Sequence, residues 1–383
     1  MRKIITNALV YRTDVQEFQP MDILVEDGII TDICESGALD RSGCCEIDAN
    51  GMAVLPGLVD VHTHGCAGYD FVSQDIDLDA MARCYAKSGV TTVMPTLASA
   101  PYGEMMAAVE KISEYLPSKE AASFCGVHLE GRYLNPDKKG AHALSLLAPL
   151  SSGELDAPQL KKLEALHISA AYELDTDGSF AKKAKEIGAT LGLGHTCATY
   201  EQAKRAEELG ITAYTHLFNA MPTLHHREGG AACACLVGDA YGELICDGIH
   251  IVPEMVALAY RCKGSKISLI SDSMEATGSA DGEYSIAGNP VIVKNGKALT
   301  LEGALAGSTL TLDNAVRNLM RFCGIPLTDA IICATKTPAQ EVGVFDICGS
   351  IDIGKRADML FVSDIENFNI EKIMIRGNFI EAN

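Results

Sequence analysis

The sequence predicts an α/β protein: a (β/α)8 TIM-like barrel with a small β-sandwich domain built from both chain ends. Eight short, apolar, β-branched segments alternate with segments of helical periodicity across about 280 residues, which is the usual size of such a barrel. Short strand patterns with turn signals flank this region on both sides. A doubly wound open sheet is the alternative, but no GxGxxG motif follows the first strand.

Residues 1–54 and 341–383 are predicted to form the small domain. Two apolar segments near the start are divided by Glu26-Asp27-Gly28, which is a hairpin signal. Near the end, strand patterns at 357–362 and 373–375 are followed by the turn Arg376-Gly377-Asn378. Neither end has enough strands for a stable sheet, and chain termini often lie close together, so we expect both ends to share one domain.

Residues 55–340 are predicted to form the barrel, which would be the catalytic domain. The expected strands are residues 57–61, 91–96, 124–129, 168–172, 190–194, 212–215, 243–246 and 266–270. The expected helices are residues 78–87, 103–115, 157–165, 180–187, 200–209, 253–261 and 309–322. The link at 225–238 shows no clear pattern, and an insertion at 283–301 has hairpin turns at Gly288-Asn289 and Asn295-Gly296.

The composition excludes several classes of partner. The chain has 383 residues, 48% of them hydrophobic, and a formal net charge of −20 without a Lys/Arg cluster. Nucleic acid and anionic membranes would be repelled at long range, whereas a small anionic substrate could still be held by local cations. Met1-Arg2-Lys3 precedes only a short apolar run, and no run reaches the length of a membrane span. With fourteen cysteines but no CxxC motif, we expect reduced thiols and a cytoplasmic protein.

Imidazole and carboxylate side chains follow six of the eight predicted strands. His62 and His64 project to one side of the first strand, although an isolated HxH pair could equally be two packed histidines. Active sites of such barrels gather at the C-terminal ends of the strands. We therefore expect one metal site there, with candidates His62, His64, Glu130, His195, His216, His250 and Asp272.

This ligand set predicts metal-dependent hydrolysis. Imidazole and carboxylate without a required thiolate suit Zn²⁺, Fe²⁺, Mn²⁺ or Co²⁺ in an open catalytic site. Such an ion lowers the pKa of bound water and polarises a carbonyl group. An aspartate at the last strand, Asp272, could take a proton from that water and return it to a leaving nitrogen.

Seven segments, in the order PGLVDVHTHG, HLEG, GHT, THLFNAM, DGIH, SDSMEATG and LAGSTLT, resemble the N-acetylglucosamine-6-phosphate deacetylase family of the amidohydrolase superfamily. PGxxDxHxH marks only the superfamily, whereas THLFNAM followed by HHRE is specific to the family. The resemblance covers nearly the whole chain. It implies hydrolysis of the acetamide of N-acetylglucosamine 6-phosphate to glucosamine 6-phosphate and acetate, in amino sugar catabolism.

The resemblance also implies roles for single residues. Glu130, His195 and His216 would hold the principal divalent ion, and His62 and His64 match a second metal pair that some members keep. One or two ions per chain are implied, zinc first, with iron, manganese or cobalt as alternatives. Asp272 would be the catalytic acid/base and His142 would contact the acetyl carbonyl. Other substrate contacts would come from Ala141, Asn219, Ala220, His250, Leu305, Ala306 and Gly307, with Arg227 reaching the phosphate from the neighbouring subunit of a homodimer.

Departures from the family pattern concern specificity. Arg132-Tyr133 follow HLEG, where the family has proline and an aromatic residue, and Gly229-Gly230 replace Pro-Gly. We expect Arg132 to add a cation beside Glu130, which could alter substrate choice. The alternatives are an amidohydrolase for another N-acetylated sugar phosphate or a cyclic amide, and a non-catalytic scaffold. The intact ligand set argues against the scaffold.

Overall fold

The computed structural model describes residues 2–150, 152–286 and 288–380. In this part of the chain, an eight-stranded sheet is built from both chain ends and a parallel barrel lies between them, so the predicted fold class is confirmed. Residues 1 and 381–383 of the predicted small domain lie outside the described residues.

The described residues contain the following strands: β1 Arg2–Arg12, β2 Glu17–Glu26, β3 Ile29–Glu35, β4 Cys45–Asp48, β5 Ala53–Pro56, β6 Leu58–Thr63, β7 Gly65–Cys66, β8 Tyr69–Asp70, β9 Val90–Leu97, β10 Ser123–Phe124, β11 Val127–Glu130, β12 Leu166–Ala170, β13 Ala189–Leu193, β14 Ala213–Tyr214, β15 Tyr241–Ile245, β16 Ile267–Ile270, β17 Gly282–Ile286, β18 Asn289–Lys294, β19 Lys297–Thr300, β20 Met359–Asp364, β21 Asn369–Ile375 and β22 Asn378–Ile380. The α-helices are α1 Leu78–Lys87, α2 Tyr102–Ser113, α3 Ser179–Glu186, α4 Tyr200–Leu209, α5 Gly230–Val237, α6 Pro253–Lys263, α7 Leu312–Cys323, α8 Leu327–Ala330 and α9 Lys336–Glu341.

The small domain joins the two ends of the chain through strand β1 and its neighbours. The first half of β1 pairs in parallel with β4 and its second half with β5, while β2 lies antiparallel to it. Strand β20 pairs antiparallel with β5 and so attaches the C-terminal strands to the N-terminal ones. Apolar side chains from both ends fill a separate core, among them Ile5, Val10, Ile23, Met359, Phe361 and Met374.

The barrel strands follow one another in the order β6, β9, β11, β12, β13, β14, β15 and β16, all parallel. The first and last strands are joined by the buried side chain of Asp60, whose Oδ2 accepts a hydrogen bond from Ser271 Oγ at 2.6 Å. Beside it, the Asp272 N–H donates to the His62 carbonyl at 2.9 Å. Burial raises the pKa of Asp60 to about 6, although its hydrogen bonds oppose the shift. The seam that closes the barrel therefore lies directly beside two candidate site residues.

Most predicted elements of the barrel form as expected. Each predicted strand overlaps an observed barrel strand, and the helices expected at 78–87 and 200–209 coincide with α1 and α4. The helix predicted at 157–165 is wrong, because this stretch contains only the 3-10 turn Leu160–Lys162. Pro158 disfavours helical backbone at Ala157, and Leu163 is already extended with φ −73° and ψ 140°.

Two further segments complete the described part of the fold. The unassigned link contains α5, which is buried on nearly all sides and therefore shows no polar face from which periodicity could be recognised. The insertion forms the three-stranded antiparallel sheet β17-β18-β19, consistent with its predicted hairpin turns. None of the helices in the described part of the chain has the length and apolar composition that a membrane span needs.

Gly126 leads into β11, which ends in Glu130, and it approaches the next strand too closely for a side chain. Its φ is +153°, and a Cβ atom there would lie 2.1 Å from the carbonyl oxygen of Ala165. We expect Gly126→Ala to lower the free energy of unfolding by about 2–4 kcal/mol, from overpacking and backbone strain together. Urea unfolding measures the change.

The matched control is Gly103→Ala in α2, where no atom lies within 4 Å of the added Cβ. Because alanine is the better helix former, this variant should gain up to about 1 kcal/mol. Similar unfolding midpoints for the two variants would contradict the close approach at Gly126.

Candidate metal centre and active site

Six buried ionisable side chains converge at the C-terminal ends of the barrel strands. His62 and His64 lie at the end of β6, and Glu130 lies at the end of β11. His195, His216 and Asp272 lie two residues beyond the ends of β13, β14 and β16, respectively. Each is at most 8% exposed. They are His62, His64, Glu130, His195, His216 and Asp272.

Three of these residues have left-handed backbone conformations directly after their strands. The φ angles are +45° at His195, +35° at His216 and +47° at Asp272. Such conformations cost on the order of 1–3 kcal/mol each in residues with side chains, and they persist only where the surroundings fix them. The abrupt change of chain direction brings these side chains together across the barrel mouth.

The carboxylate of Glu130 is shared between two pairs of histidines. Its Oε1 lies 3.2 Å from His195 Nε2 and 2.9 Å from His216 Nε2. Its Oε2 lies 3.0 Å from His64 Nε2 and 3.4 Å from His62 Nε2. One buried side chain thus joins two potential ligand groups, Glu130-His195-His216 and His62-His64-Asp272.

The hydrogen bonds behind the rings present nitrogen lone pairs to the site. The Nδ1 of His195 donates to the Lys138 carbonyl at 2.7 Å, so the neutral ring has its lone pair on Nε2. The Nδ1 of His62 faces Glu243 Oε2 at 2.9 Å, with the same consequence for its Nε2. Metal-binding histidines characteristically use their second nitrogen in this way.

The electrostatics of the site also favour bound cations. Burial alone would lower the pKa of His64, but Asp272 and Glu130 raise it to about 9. Burial would likewise raise the pKa of Glu130, but His62, His195 and His216 bring it well below its usual value. Divalent ions would supply the positive charge that this arrangement attracts and would use the ring nitrogens as ligands. The side chains therefore fit divalent metal ions.

A cavity of about 210 Å³ opens above the cluster. His64, Glu130, His195, His216 and Asp272 all line it, whereas His62 is fully buried behind the lining. The predicted substrate residues that also line it are Ala141, His142, Asn219, Ala220, His250, Leu305, Ala306 and Gly307. Arg227 is not among the lining residues and lies on an exposed turn between His225 and Glu228.

His142 is held as a neutral hydrogen-bond donor. The backbone N–H of Ser99 donates to its Nδ1 at 3.2 Å, and Ser99 Oγ lies 2.9 Å from the same nitrogen. An accepting Nδ1 requires the ring proton on Nε2, which lies 3.9 Å from Glu130 Oε2. Burial and the nearby His195 lower the pKa of His142 to about 3, so the ring is uncharged near neutral pH.

Asp247 fixes the ring of His250. Its Oδ2 lies 2.7 Å from His250 Nδ1, and its Oδ1 accepts backbone N–H bonds from Ile249 and His250. The other ring nitrogen is therefore the one that remains for contact with a ligand.

Three residues of the site were not predicted from the sequence. Glu243 on β15 accepts from His62 Nδ1 and, at 3.0 Å, from the His216 N–H. A carboxylate within an otherwise apolar strand was the available signal. Gly140 leaves room for His195, because a Cβ atom there would lie 3.0 Å from its Cε1. Ile286 reaches the cavity from the β17 hairpin, a placement that only the tertiary fold determines.

The expectation that Arg132 places a cation beside Glu130 is wrong. Its guanidinium forms an ion pair with Glu154 at 3.0 Å and donates to the Ala100 carbonyl at 3.1 Å. Arg132 has φ +67°, and this backbone turn directs its side chain away from the cavity, which it does not line.

A parallel barrel with two carboxylate–imidazole groups beneath an open cavity defines the class of metal-dependent hydrolases. The chain belongs to the amidohydrolase family, whose profile matches residues 53–380.

Named relatives extend the comparison. The chain is 35% identical over 331 residues to N-acetylglucosamine-6-phosphate deacetylase of Vibrio furnissii, covering 85% of this chain and 82% of the relative. It is also 35% identical over 357 residues to N-acetylgalactosamine-6-phosphate deacetylase of Escherichia coli O157:H7, covering 92% and 93%. The crystal structure of N-acetylglucosamine-6-phosphate deacetylase from Pasteurella multocida matches with a TM-score of 0.90 at 29% identity, covering 100% of both chains.

The shared carboxylate predicts how metal content responds to mutation. Elemental analysis of protein purified without chelator should show about one to two ions per chain in the ligand groups of Glu130. We expect Glu130→Ala to lose all of them, because both groups depend on this side chain, whereas His64→Ala should keep the ion at His195 and His216. His226→Ala, on the exposed turn, is the control. Wild-type metal content in Glu130→Ala would exclude the shared arrangement.

Proposed function

We propose that this amidohydrolase hydrolyses the acetamide of N-acetylglucosamine 6-phosphate to glucosamine 6-phosphate and acetate. The main support is the convergence of Asp272, His142 and both ligand groups on one cavity. The relatives from Vibrio furnissii and Pasteurella multocida carry the name of this reaction. Zinc is the ion we favour, because imidazole and carboxylate in an open site suit it.

The ionised state of Asp272 supports its role as proton carrier. Burial would raise its pKa, but the hydrogen bond with His64 and the charge of His62 lower it below the ordinary value. Its Oδ1 lies 3.3 Å from His64 Nε2, so the carboxylate reaches the centre of the cluster. Asp272 is therefore positioned to accept a proton at this point.

In the proposed reaction, the metal ligands, His142 and Asp272 have separate roles. A divalent ion held by Glu130, His195 and His216 would lower the pKa of a water molecule and polarise the acetyl carbonyl. His142 Nε2–H donates to the carbonyl oxygen and stabilises the charge that develops there. Asp272 takes a proton from the attacking water and gives it to the sugar nitrogen as the C–N bond breaks. The products are the neutral amine and acetic acid, which then loses its proton to solvent as acetate.

The phosphate group requires a cation that the cavity of one chain does not supply. The described residues that line the cavity include no lysine or arginine, and the whole chain has a net charge of −20. Arg227 is exposed on its turn and free to reach a neighbouring molecule. We therefore propose a C2 homodimer in which Arg227 binds the phosphate of the neighbouring site.

The fourteen cysteines are unpaired, which supports a reducing, cytoplasmic location.

Acetate release tests the proposed reaction. The protein should hydrolyse N-acetylglucosamine 6-phosphate with a higher kcat/KM than N-acetylgalactosamine 6-phosphate, N-acetylmannosamine 6-phosphate or unphosphorylated N-acetylglucosamine. A preference for the galactosamine epimer would instead support the reaction named in the relative from Escherichia coli O157:H7. The absence of acetate release from every sugar phosphate would exclude this function.

Asp272→Asn tests the proton carrier. The amide keeps the shape of the side chain but cannot move the proton, so kcat should fall by about 10²–10⁴-fold with little change in KM. Metal content is measured on the same sample to separate proton transfer from metal loss. Near wild-type turnover with metal bound would contradict the assignment and would make His142 or His250 the next candidate.

Arg227→Ala tests the binding of phosphate. KM for the phosphorylated sugar should rise about 10- to 100-fold, because a hydrogen bond to a charged group contributes about 1.5–3 kcal/mol. The kcat value should change little. Arg83→Ala, a change of another partly exposed arginine, is the control.

Mixed dimers test whether Arg227 acts across the interface. After subunit exchange, a dimer of one Arg227→Ala and one Asp272→Asn chain contains one complete site if the arginine serves its neighbour. An equimolar mixture should then regain roughly a quarter of wild-type activity at low substrate concentration. No recovery from a demonstrated mixed dimer would place Arg227 in its own chain's site or outside it.

A further inference from the structure

A second buried cluster lies inside the barrel, below the residues of the active site. It consists of His167 on β12, Glu243 on β15 and Glu341 on α9, and we refer to it as the lower cluster. Potential ligand atoms of the three side chains all lie within 4.8 Å of one another. His167 and Glu243 are fully buried and Glu341 is 1% exposed.

The atoms of the lower cluster that are not used elsewhere have no hydrogen-bond partners. They are His167 Nε2, Glu243 Oε1 and both carboxylate oxygens of Glu341. The remaining polar atoms are occupied: His167 Nδ1 contacts Thr190 Oγ1 at 2.8 Å, and Glu243 Oε2 binds His62. Unpartnered buried polar groups are rare and costly, and here several occur in one place.

The hydrogen bonds of His167 leave a lone pair on its unpartnered nitrogen. The Thr190 hydroxyl donates to the Leu166 carbonyl at 3.4 Å, so its oxygen accepts the proton of His167 Nδ1. Burial lowers the pKa of His167 to about 4, which keeps the ring neutral. Gly192 keeps the adjacent space open, because a Cβ atom there would lie 2.7 Å from His167 Nε2. The nitrogen is thus prepared to act as a ligand.

The carboxylates of the lower cluster lack a compensating cation. Among the described residues, neither Glu243 nor Glu341 pairs with a lysine or arginine. Glu243 contacts the His62 ring and the His216 N–H, and Glu341 lies beside Glu243 and the Ser268 hydroxyl. Burial and the nearby Glu243 raise the pKa of Glu341 well above its ordinary value, so a proton on Glu341 could satisfy one oxygen of Glu243. That proton would still leave His167 Nε2 without a partner. A cation would satisfy all three side chains at once.

We propose that His167, Glu243 and Glu341 bind a further divalent ion with a structural role, separate from the ligand groups of the active site. Ligand atoms about 2.0–2.2 Å from a common ion lie roughly 3–4 Å apart, which the observed spacing allows after small shifts. One imidazole and two carboxylates suit zinc, manganese or iron. The donors are buried, and both oxygens of Glu341 together with the other two side chains would supply the four ligand atoms of a closed structural site.

An ion at the lower cluster would link a helix outside the barrel to two barrel strands and to ligands of the active site. It would tie α9, which follows the barrel in sequence, to strands β12 and β15. It would also fix Glu243, whose other oxygen holds the His62 ring and the His216 backbone. The lower cluster is therefore a positioning element for ligands of the active site.

Metal analysis and anomalous diffraction of the full chain test this proposal, with zinc chloride as the added metal. Wild-type crystals should show an anomalous peak between the three side chains. Glu341→Gln should retain the active-site ions but bind about one ion fewer per chain, and its Tm should rise less with added zinc than the Tm of the wild type does. Glu366→Gln, which changes an exposed carboxylate, should match the wild type on both measures.

Two results would overturn the proposal: a wild-type anomalous map with peaks only in the active-site groups, or equal metal content in wild type and Glu341→Gln. If the variant does not fold, the wild-type map decides alone. Glu130→Ala provides an independent check, because it should lose the active-site ions and keep the peak at the lower cluster. These results do not depend on which sugar the enzyme hydrolyses.

Discussion

The carboxylate of Glu130 is the group on which the site depends, because its two oxygens serve different pairs of histidines. This sharing is possible only if four strand ends meet at one depth of the barrel mouth. The local backbone around Glu130 is built for that purpose. Gly126 lets β11 approach the next strand, and Gly131 leaves no space for a side chain, since a Cβ atom there would lie 2.4 Å from the Ser99 backbone nitrogen.

The contacts that close the barrel also position residues of the candidate site. Asp272 lies two residues beyond β16 and His62 lies near the end of β6. The backbone hydrogen bond between them lies beside the Asp60–Ser271 contact. The left-handed conformations of His195, His216 and Asp272 add strain at the same rim. The strand ladder and the buried core must stabilise this arrangement. The candidate site therefore lies where the fold can maintain unfavourable backbone conformations.

The sequence predicted most of the fold, because strands buried on both faces and amphipathic helices leave clear local patterns. It also predicted the rim residues, since His or carboxylate residues at strand ends recur along the chain. What it did not predict depends on contacts between distant segments. The direction of Arg132 follows from its pairing with Glu154, and Ile286 reaches the cavity only because the inserted sheet folds over it. The failed helix at 157–165 is a local error, in which Pro158 outweighed apolar spacing.

Four buried carboxyl groups lie inside the barrel, and among the described residues none of them pairs with a lysine or arginine. Glu130 and Asp272 lie at the rim, and Glu243 and Glu341 lie below them, with His62 in contact with both levels. These buried carboxyl groups are stable only if protons or metal ions supply positive charge at both levels. The cavity above them has no lysine or arginine among its described lining residues, so an anionic substrate must find its cation elsewhere. The buried carboxyl groups therefore create a requirement for positive charge within the barrel, which the proposed metal ions would meet.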